Sequence, residues 1–193
     1  MRGVACGVAW DGVTGRMKRF ILTGTPSSGK TTVLRALEAR GYAVIEEAAT
    51  DVIAMQQAAN VSQPWKQPEF IDAIVTLQKQ RQQEMCTIKS DLQFYDRSPM
   101  CSYALGQYLG VPPSVMLMQE IERIQREEIY QRQVFFIENL GFVEPTHARK
   151  ISFEDALIFE RIHRETYEFF GYTCFSIMPA CIDERVEAIL NHI

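Results

Sequence analysis

The sequence predicts an α/β fold of three layers: a five-stranded parallel sheet, helices on both of its faces, and a small lid. Three observations predict it. Five short apolar stretches with strand character alternate with helical runs along the 193 residues. No two of them are joined by a hairpin signal, so each strand must return through a crossover, which makes the sheet parallel and covered on both faces. A glycine-rich turn, Gly24-Thr25-Pro26-Ser27-Ser28-Gly29-Lys30-Thr31, lies between the first strand and the first helix.

The elements follow in order. Residues 1–16 hold four glycines and no periodicity. They read as an arm that is loosely ordered or, if translation also begins at Met17, dispensable. Residues 17–193 then form a single domain. A strand over Arg19 to Thr23 precedes the glycine-rich turn and a helix from Lys30 to Arg40, stopped by Gly41. A second strand, Tyr42 to Glu46, leads to a helix near Asp51 to Ala59 and a loop marked by Pro64 and Pro68. Phe70, Ile74, Leu77, Arg81, Met85 and Ile88 recur at helical spacing, which predicts a long amphipathic helix over Glu69 to Lys89.

The third strand, Asp91 to Asp96, ends on a carboxylate. A short helix over Pro99 to Leu109 stops at Gly110, and Ser114 caps the next helix, Val115 to Tyr130. Val134 to Glu138 is the fourth strand, and residues 141–152 the lid. Ser152 opens a helix that runs to Gly171, with Asp155 in the reciprocal capping position. Tyr172 to Ile177 is the fifth strand, and Asp183 to Ile193 a terminal helix.

Composition excludes several classes. Lys plus Arg number 20 and Asp plus Glu 24, a net charge of −4, which argues against long nucleic acid as a partner. With 47% hydrophobic and 23% charged residues the chain has the balance of a globular protein. No apolar run is long enough for a transmembrane segment. Cys6, Cys86, Cys101, Cys174 and Cys181 never form C-x-x-C, which fits a reduced, cytoplasmic protein rather than a disulfide or zinc scaffold. His147, His163 and His192 show no metal-ligand spacing.

The segment from Gly24 to Thr31 matches G-x-x-x-x-G-K-[ST] in full. Glycines let successive backbone N–H groups converge on one concavity, and the following helix adds its positive N-terminal end. Lys30 is placed to reach the β- and γ-phosphates of a nucleoside triphosphate, and the Thr31 hydroxyl to ligate Mg²⁺. Gly24, Thr25, Pro26, Ser27, Ser28, Gly29, Lys30, Thr31 and Thr32 are thus the candidate nucleotide-binding residues. No Asn-Lys-x-Asp motif marks a GTPase, since none of the three asparagines precedes a lysine. No Leu-Ser-Gly-Gly marks a transporter ATPase. A compact kinase-like scaffold remains, with a second substrate across the strand ends.

Asp96-Arg97-Ser98 sits where the third strand meets its loop, at the carboxyl ends of the strands, where open α/β sheets bind ligands. A carboxylate there holds Mg²⁺ or takes a proton, and an arginine braces the migrating phosphoryl group. Glu46 and Glu47 close the second strand in the same layer, and Glu47 is the preferred general base. Arg149, beside Lys150 in the lid, is the candidate cation that closes over the phosphates. Arg123, Arg126 and Arg132 are its rivals. Trp65 is either a wall of the acceptor pocket or packing for the long helix. Met178-Pro179-Ala180 is either a contact for the base or a plain turn.

The ordered set of these stretches resembles a family. Residues 20–32 (Phe-Ile-Leu-Thr-Gly-Thr-Pro-Ser-Ser-Gly-Lys-Thr-Thr), 44–49 (Val-Ile-Glu-Glu-Ala-Ala), 64–70 (Pro-Trp-Lys-Gln-Pro-Glu-Phe) and 95–98 (Tyr-Asp-Arg-Ser) carry the likeness. So do 134–137 (Val-Phe-Phe-Ile), Arg149-Lys150 and 183–186 (Asp-Glu-Arg-Val). Together they are similar to the small P-loop AAA-domain proteins grouped with the ribosylnicotinamide-kinase domain of the NAD-metabolism regulator NadR. The resemblance implies a sheet in the order 2-3-1-4-5, ATP or GTP with Mg²⁺, and phosphoryl transfer to a small molecule. It implies Lys30 and Thr31 as phosphate and metal residues, with Asp96 also on the metal. Glu47 and Asp96 become the acidic pair, and Arg97 and Arg149 the cationic clamp. Thr50 and Thr146 stand where relatives often carry arginine and aspartate.

The expectation is therefore a kinase that moves the γ-phosphoryl group of ATP to a hydroxyl of a small, nucleoside-like metabolite. The alternative, favoured by Thr50 and Thr146, is an ATP- or GTP-binding ATPase or regulatory switch with no small-molecule acceptor.

Overall fold

The computed structural model describes residues 17–25, 27–87, 90–140 and 153–193. The N-terminal arm, Pro26, the lid with Arg149, and Ser152 lie outside the described residues.

Five strands form one sheet: β1 (Lys18–Gly24), β2 (Ala43–Ile45), β3 (Leu92–Asp96), β4 (Gln133–Ile137) and β5 (Thr173–Ile177). Their order is β2-β3-β1-β4-β5, and every neighbouring pair is parallel. The expected order and parallel sense are both present. Leu22 is in register with Asp96 on one side and Phe135 on the other. The ends of β1, β3 and β4 therefore share one edge of the sheet.

Seven α-helices accompany the strands among the described residues: α1 (Lys30–Ala39), α2 (Ala48–Ala58), α3 (Phe70–Glu84), α4 (Pro99–Leu109), α5 (Val115–Arg126), α6 (Phe153–Phe169) and α7 (Ile182–Leu190). Alternation along the strands sorts the core into two layers. Phe20, Leu22, Phe94, Phe135 and Ile177 face α1 and α7, where Val33, Leu37, Val186 and Ile189 meet them. Ile21, Tyr95 and Val134 face the opposite way, onto Val75 of α3, Met100 of α4, Ile121 of α5 and Tyr167 of α6. The three central strands, β3, β1 and β4, are buried on both faces, so they read as apolar runs rather than as half-polar ones. Helix α2 packs outside this layer, with Ala48 and Val52 on Phe70 and Ile74 of α3.

Several boundaries differ from the sequence expectation, each for a local reason. Helix α2 begins three residues early because Glu47 takes the extended N-cap conformation. Helix α3 ends at Glu84 and tightens into a 3-10 turn over Met85–Thr87, where Gln93 Nε2 of β3 donates to the Met85 carbonyl at 2.9 Å. Helix α5 stops at Arg126 because Glu128 enters the left-handed region (φ 48°), a stop signal with no glycine to announce it. Strand β2 is only three residues long, since the Tyr42 N–H still bonds to Leu37 at the end of α1. Ser114 caps α5 as expected, its Oγ accepting the Leu117 N–H at 3.0 Å and donating to Asp72 at 2.5 Å.

Candidate active site

The turn from β1 to α1 is pressed against the end of β4. A Cβ on Gly24 (φ 148°) would lie 2.4 Å from the Ile137 carbonyl oxygen, so only glycine fits there. Gly29 (φ 79°) is the N-cap of α1 and brings no side chain to satisfy the first N–H groups of the helix. Those groups, with the helix dipole, are left for an anion. Two hydroxyls in the turn, Thr25 Oγ1 and Ser28 Oγ, are buried without a hydrogen-bond partner among the described residues. Orphaned polar atoms are costly in a finished core and understandable in a cradle built for a polar guest. Thr31 and Thr32 are exposed on the first turn of α1.

Lys30 is buried and its Nζ lies 2.5 Å from Asp96 Oδ1. The last residue of β3 thus answers the charge of the glycine-rich turn. Arg97 comes next and turns the other way. Its backbone is left-handed (φ 72°), and its N–H donates to the Leu22 carbonyl at 2.9 Å. That unusual conformation swings the guanidinium toward β2, where Nε donates to Glu47 Oε1 at 2.7 Å. The other oxygen of Glu47 accepts the Thr50 hydroxyl at 2.9 Å. Both oxygens of one carboxylate are therefore held by named donors. Burial works against the charge of Arg97, but Glu47, Cys101 and Asp96 outweigh it and hold the guanidinium above its ordinary pKa.

A buried polar chain lies behind Arg97. His163 Nδ1 is 2.9 Å from the Phe159 carbonyl, which can only accept, so that nitrogen carries the proton. Nε2 lies 3.4 Å from Arg97 Nη1. Ser98 Oγ meets Tyr167 Oη at 2.8 Å, and the same oxygen lies 3.0 Å from Cys101 Sγ. Burial, with Cys101 alongside, pushes the Tyr167 phenol well up, so it stays neutral. Burial pushes the Cys101 thiol up as well, but His163, Arg97 and Thr23 overcome it and bring the thiol down to about 6.

The expected site residues thus fall into three groups. Gly24 to Thr32 (Pro26 aside), Asp96, Arg97 and Glu47 gather at one edge of the sheet. Glu46 does not join them: its side chain is exposed and its carbonyl accepts Arg81 Nη1 at 2.9 Å. Arg149 lies outside the described residues. Its rivals are engaged elsewhere, Arg123 with Glu120 and Glu127, Arg126 with Glu127, and Arg132 with the Phe170 carbonyl before the start of β4. Trp65 is 37% exposed in the 3-10 turn Pro64–Lys66, and Met178 is exposed after β5.

Two residues stand at the site with no role that the sequence assigns them, although Arg185 lies in the stretch 183–186 that carries the family likeness. His163 follows Phe159 and precedes Tyr167 on one face of α6, so its only signal was a histidine on an apolar stripe. Arg185 sits in a charged run on α7 that reads as a solvated face, yet it is buried, with Nη1 donating to the Ser28 carbonyl at 2.9 Å.

A parallel sheet in this order, with a glycine-rich turn opening α1 and a lysine and an aspartate meeting beneath it, defines a P-loop NTPase of the kinase-like kind. The chain belongs to the AAA domain family, whose family model matches residues 19–185. Solved structures share the fold. Deoxyadenosine kinase from M. mycoides, with the products dCMP and dCDP, aligns over 90% of this chain and 97% of its own at 12% identity, TM-score 0.57. NadR protein in complex with NR aligns over 91% of this chain and 50% of its own at 15% identity, TM-score 0.66. The chain thus spans about half the length of NadR. No curated protein sequence matches it. Among the described residues no helix is long and apolar enough to cross a membrane.

Proposed function

We propose that the protein is a phosphotransferase that moves the γ-phosphoryl group of ATP or GTP to a hydroxyl of a small, nucleoside-like metabolite. The observation that carries this reading is the divergence at the end of β3. Asp96 turns to Lys30 at the phosphate cradle, and Arg97 turns to Glu47, whose two oxygens are fixed by Arg97 and Thr50. A site that only bound a nucleotide would have no need for a second, separately oriented carboxylate on the neighbouring strand.

The triphosphate occupies the turn from Gly24 to Thr32, where the α1 N–H groups and the Thr25 and Ser28 hydroxyls receive it. Lys30 exchanges Asp96 for phosphate oxygen. Glu47 takes the proton of the acceptor hydroxyl as its oxygen attacks the γ-phosphorus and the bond to the β-γ bridging oxygen breaks. Arg97 holds Glu47 in place, and Arg149 of the lid completes the clamp.

The donor chemistry suits Mg²⁺. No cluster of three acidic, His or Cys side chains exists among the described residues, and one carboxylate (Asp96) with one hydroxyl (Thr31) is the sparse oxygen set that this ion uses beside substrate phosphates. Bound there, Mg²⁺ would neutralise charge on the transferring group.

A metabolite panel tests the reading. The expected result is ADP or GDP release stimulated by a nucleoside-like acceptor, with phosphorylated acceptor as product. Asp96→Asn should lower that turnover about 10²-fold or more. Tight nucleotide binding that no acceptor stimulates would overturn it in favour of a switch.

A further inference from the structure

Arg185 is among the largest fully buried side chains of the protein, at 2% exposure. Its Nη1 donates to the Ser28 carbonyl at 2.9 Å, its Nη2 to the Glu138 carbonyl at 3.2 Å, and its Nε has no partner among the described residues. A Cβ on Gly29 would come within 3.0 Å of Nη1, so the guanidinium lies flush against the N-cap of α1.

A buried charge is ordinarily paired. Here the carboxylates flanking it among the described residues are engaged elsewhere. Asp183 and Glu187 bind Arg40, Glu184 caps the Cys181 N–H, and Glu138 binds Arg164 at 2.7 Å. Burial alone draws the Arg185 pKa down, with no carboxylate opposing it. Its neighbour, the N-terminus of α1, is itself a positive pole. Lys30, the other buried cation of the turn, has Asp96 for company. Among the described residues Arg185 has only carbonyls.

We infer that Arg185 is a positioning residue of the phosphate cradle, a buried cation whose countercharge is the polyphosphate itself. Its two carbonyl bonds draw the Ser28 and Glu138 oxygens out of the cradle, which turns the adjoining N–H groups of the loop toward the ligand. Its charge adds to the field of Lys30 and the α1 dipole from behind the loop, where no solvent screens it. The inference rests on the proposal that a nucleoside triphosphate occupies this turn, and it adds the C-terminal helix to the machinery that binds it.

The test compares wild type, Arg185→Met and Arg185→Lys as full-length chains. Thermal midpoints without ligand are measured beside dissociation constants for ATP, GTP and inorganic tripolyphosphate. A merely structural arginine and a ligand-answered one move these readouts in opposite ways. The inference expects Arg185→Met to keep or raise the ligand-free midpoint, because an unanswered buried charge is gone. It expects the same variant to bind tripolyphosphate, and whichever nucleotide the wild type takes, about tenfold or more weakly. Arg185→Lys should stay within about threefold of wild type.

Wild-type affinity in Arg185→Met would overturn the inference, and so would an Arg185→Lys variant as weak as Arg185→Met. Should Arg185→Met not fold, Arg185→Gln keeps N–H donors for the two carbonyls without the charge, and the same comparison decides. A wild type that binds neither nucleotide nor tripolyphosphate would instead overturn the reading of the loop. That result is distinct from a variant that binds as the wild type does.

Discussion

The two sides of the site are made in different ways. The phosphate side is built on one segment, Gly24 to Thr32 (Pro26 aside), where Gly24 is pressed against β4 and Gly29 takes a left-handed backbone. The acidic side has no segment of its own. Glu47 and Thr50 come from the start of α2, Arg97 from the end of β3 and His163 from α6, and side-chain bonds join these separate elements. A contiguous loop carries its function in its backbone, so it tolerates few substitutions and binds whatever has the right charge. A gathered cluster carries its function in side-chain geometry and is free to change what it accepts.

The difference makes predictions that separate binding from turnover. The largest effect is expected at Glu47. Glu47→Gln keeps the shape and the Thr50 contact but cannot take a proton, and should lower kcat about 10³-fold with nucleotide affinity unchanged. Equal losses in kcat and in nucleotide affinity would break the division. Lys30→Ala should do the reverse, weakening triphosphate binding about 10²-fold by titration while leaving the Glu47–Arg97 pair intact.

Gly24→Ala attacks the same side through its backbone. The clash with Ile137 should cost about 2 kcal/mol or more of stability in denaturant unfolding, a penalty that no single acidic-side hydroxyl carries. Thr50→Val removes one of the donors on Glu47 and should lower kcat only about three- to tenfold.

A separate effect is a pH dependence behind Arg97. The Cys101 thiol stands at about 6 in the folded protein against an ordinary 9.0, so the folded state favours the thiolate. That stability is present in full above the unfolded value and is lost as pH falls through the folded one. Wild type should therefore gain stability over Cys101→Ser as pH rises from 6 to 9. A pH-independent difference between the two would remove the thiolate from the account.

The contrast also explains what the sequence disclosed. The sheet, its parallel sense and the phosphate turn were legible because each is a local signal: apolar runs, glycine stops, a fixed spacing from Gly24 to Thr31. Asp96 and Glu47 were legible as strand-end carboxylates. Their partners were not. Nothing in a linear reading says that Arg97 takes a left-handed backbone and so faces Glu47 while its neighbour Asp96 faces Lys30. Arg185 was hidden for a related reason. Its flanking charges, Asp183, Glu184 and Glu187, belong to an exposed helical face, and the next step of about 100° around the helix places the arginine inside with Val186 and Ile189. The end of α5 was missed because Glu128 does the work usually left to glycine.

The place of β1 in the sheet bears on how the chain is made. Its two neighbours are β3 and β4, so Lys18 waits for Leu92 and Ile21 waits for Val134. On a ribosome adding about 5–20 residues per second, the interval between the synthesis of Gly24 and that of Ile137 is on the order of ten seconds. For the first part of it, until Asp96 is made, the apolar run Phe20-Ile21-Leu22 has neither of its neighbours to pair with, although all three residues are buried in the finished fold. The nascent protein therefore passes through a window in which its central strand is a hazard, and a chaperone that shields that strand early should raise the yield of soluble chain.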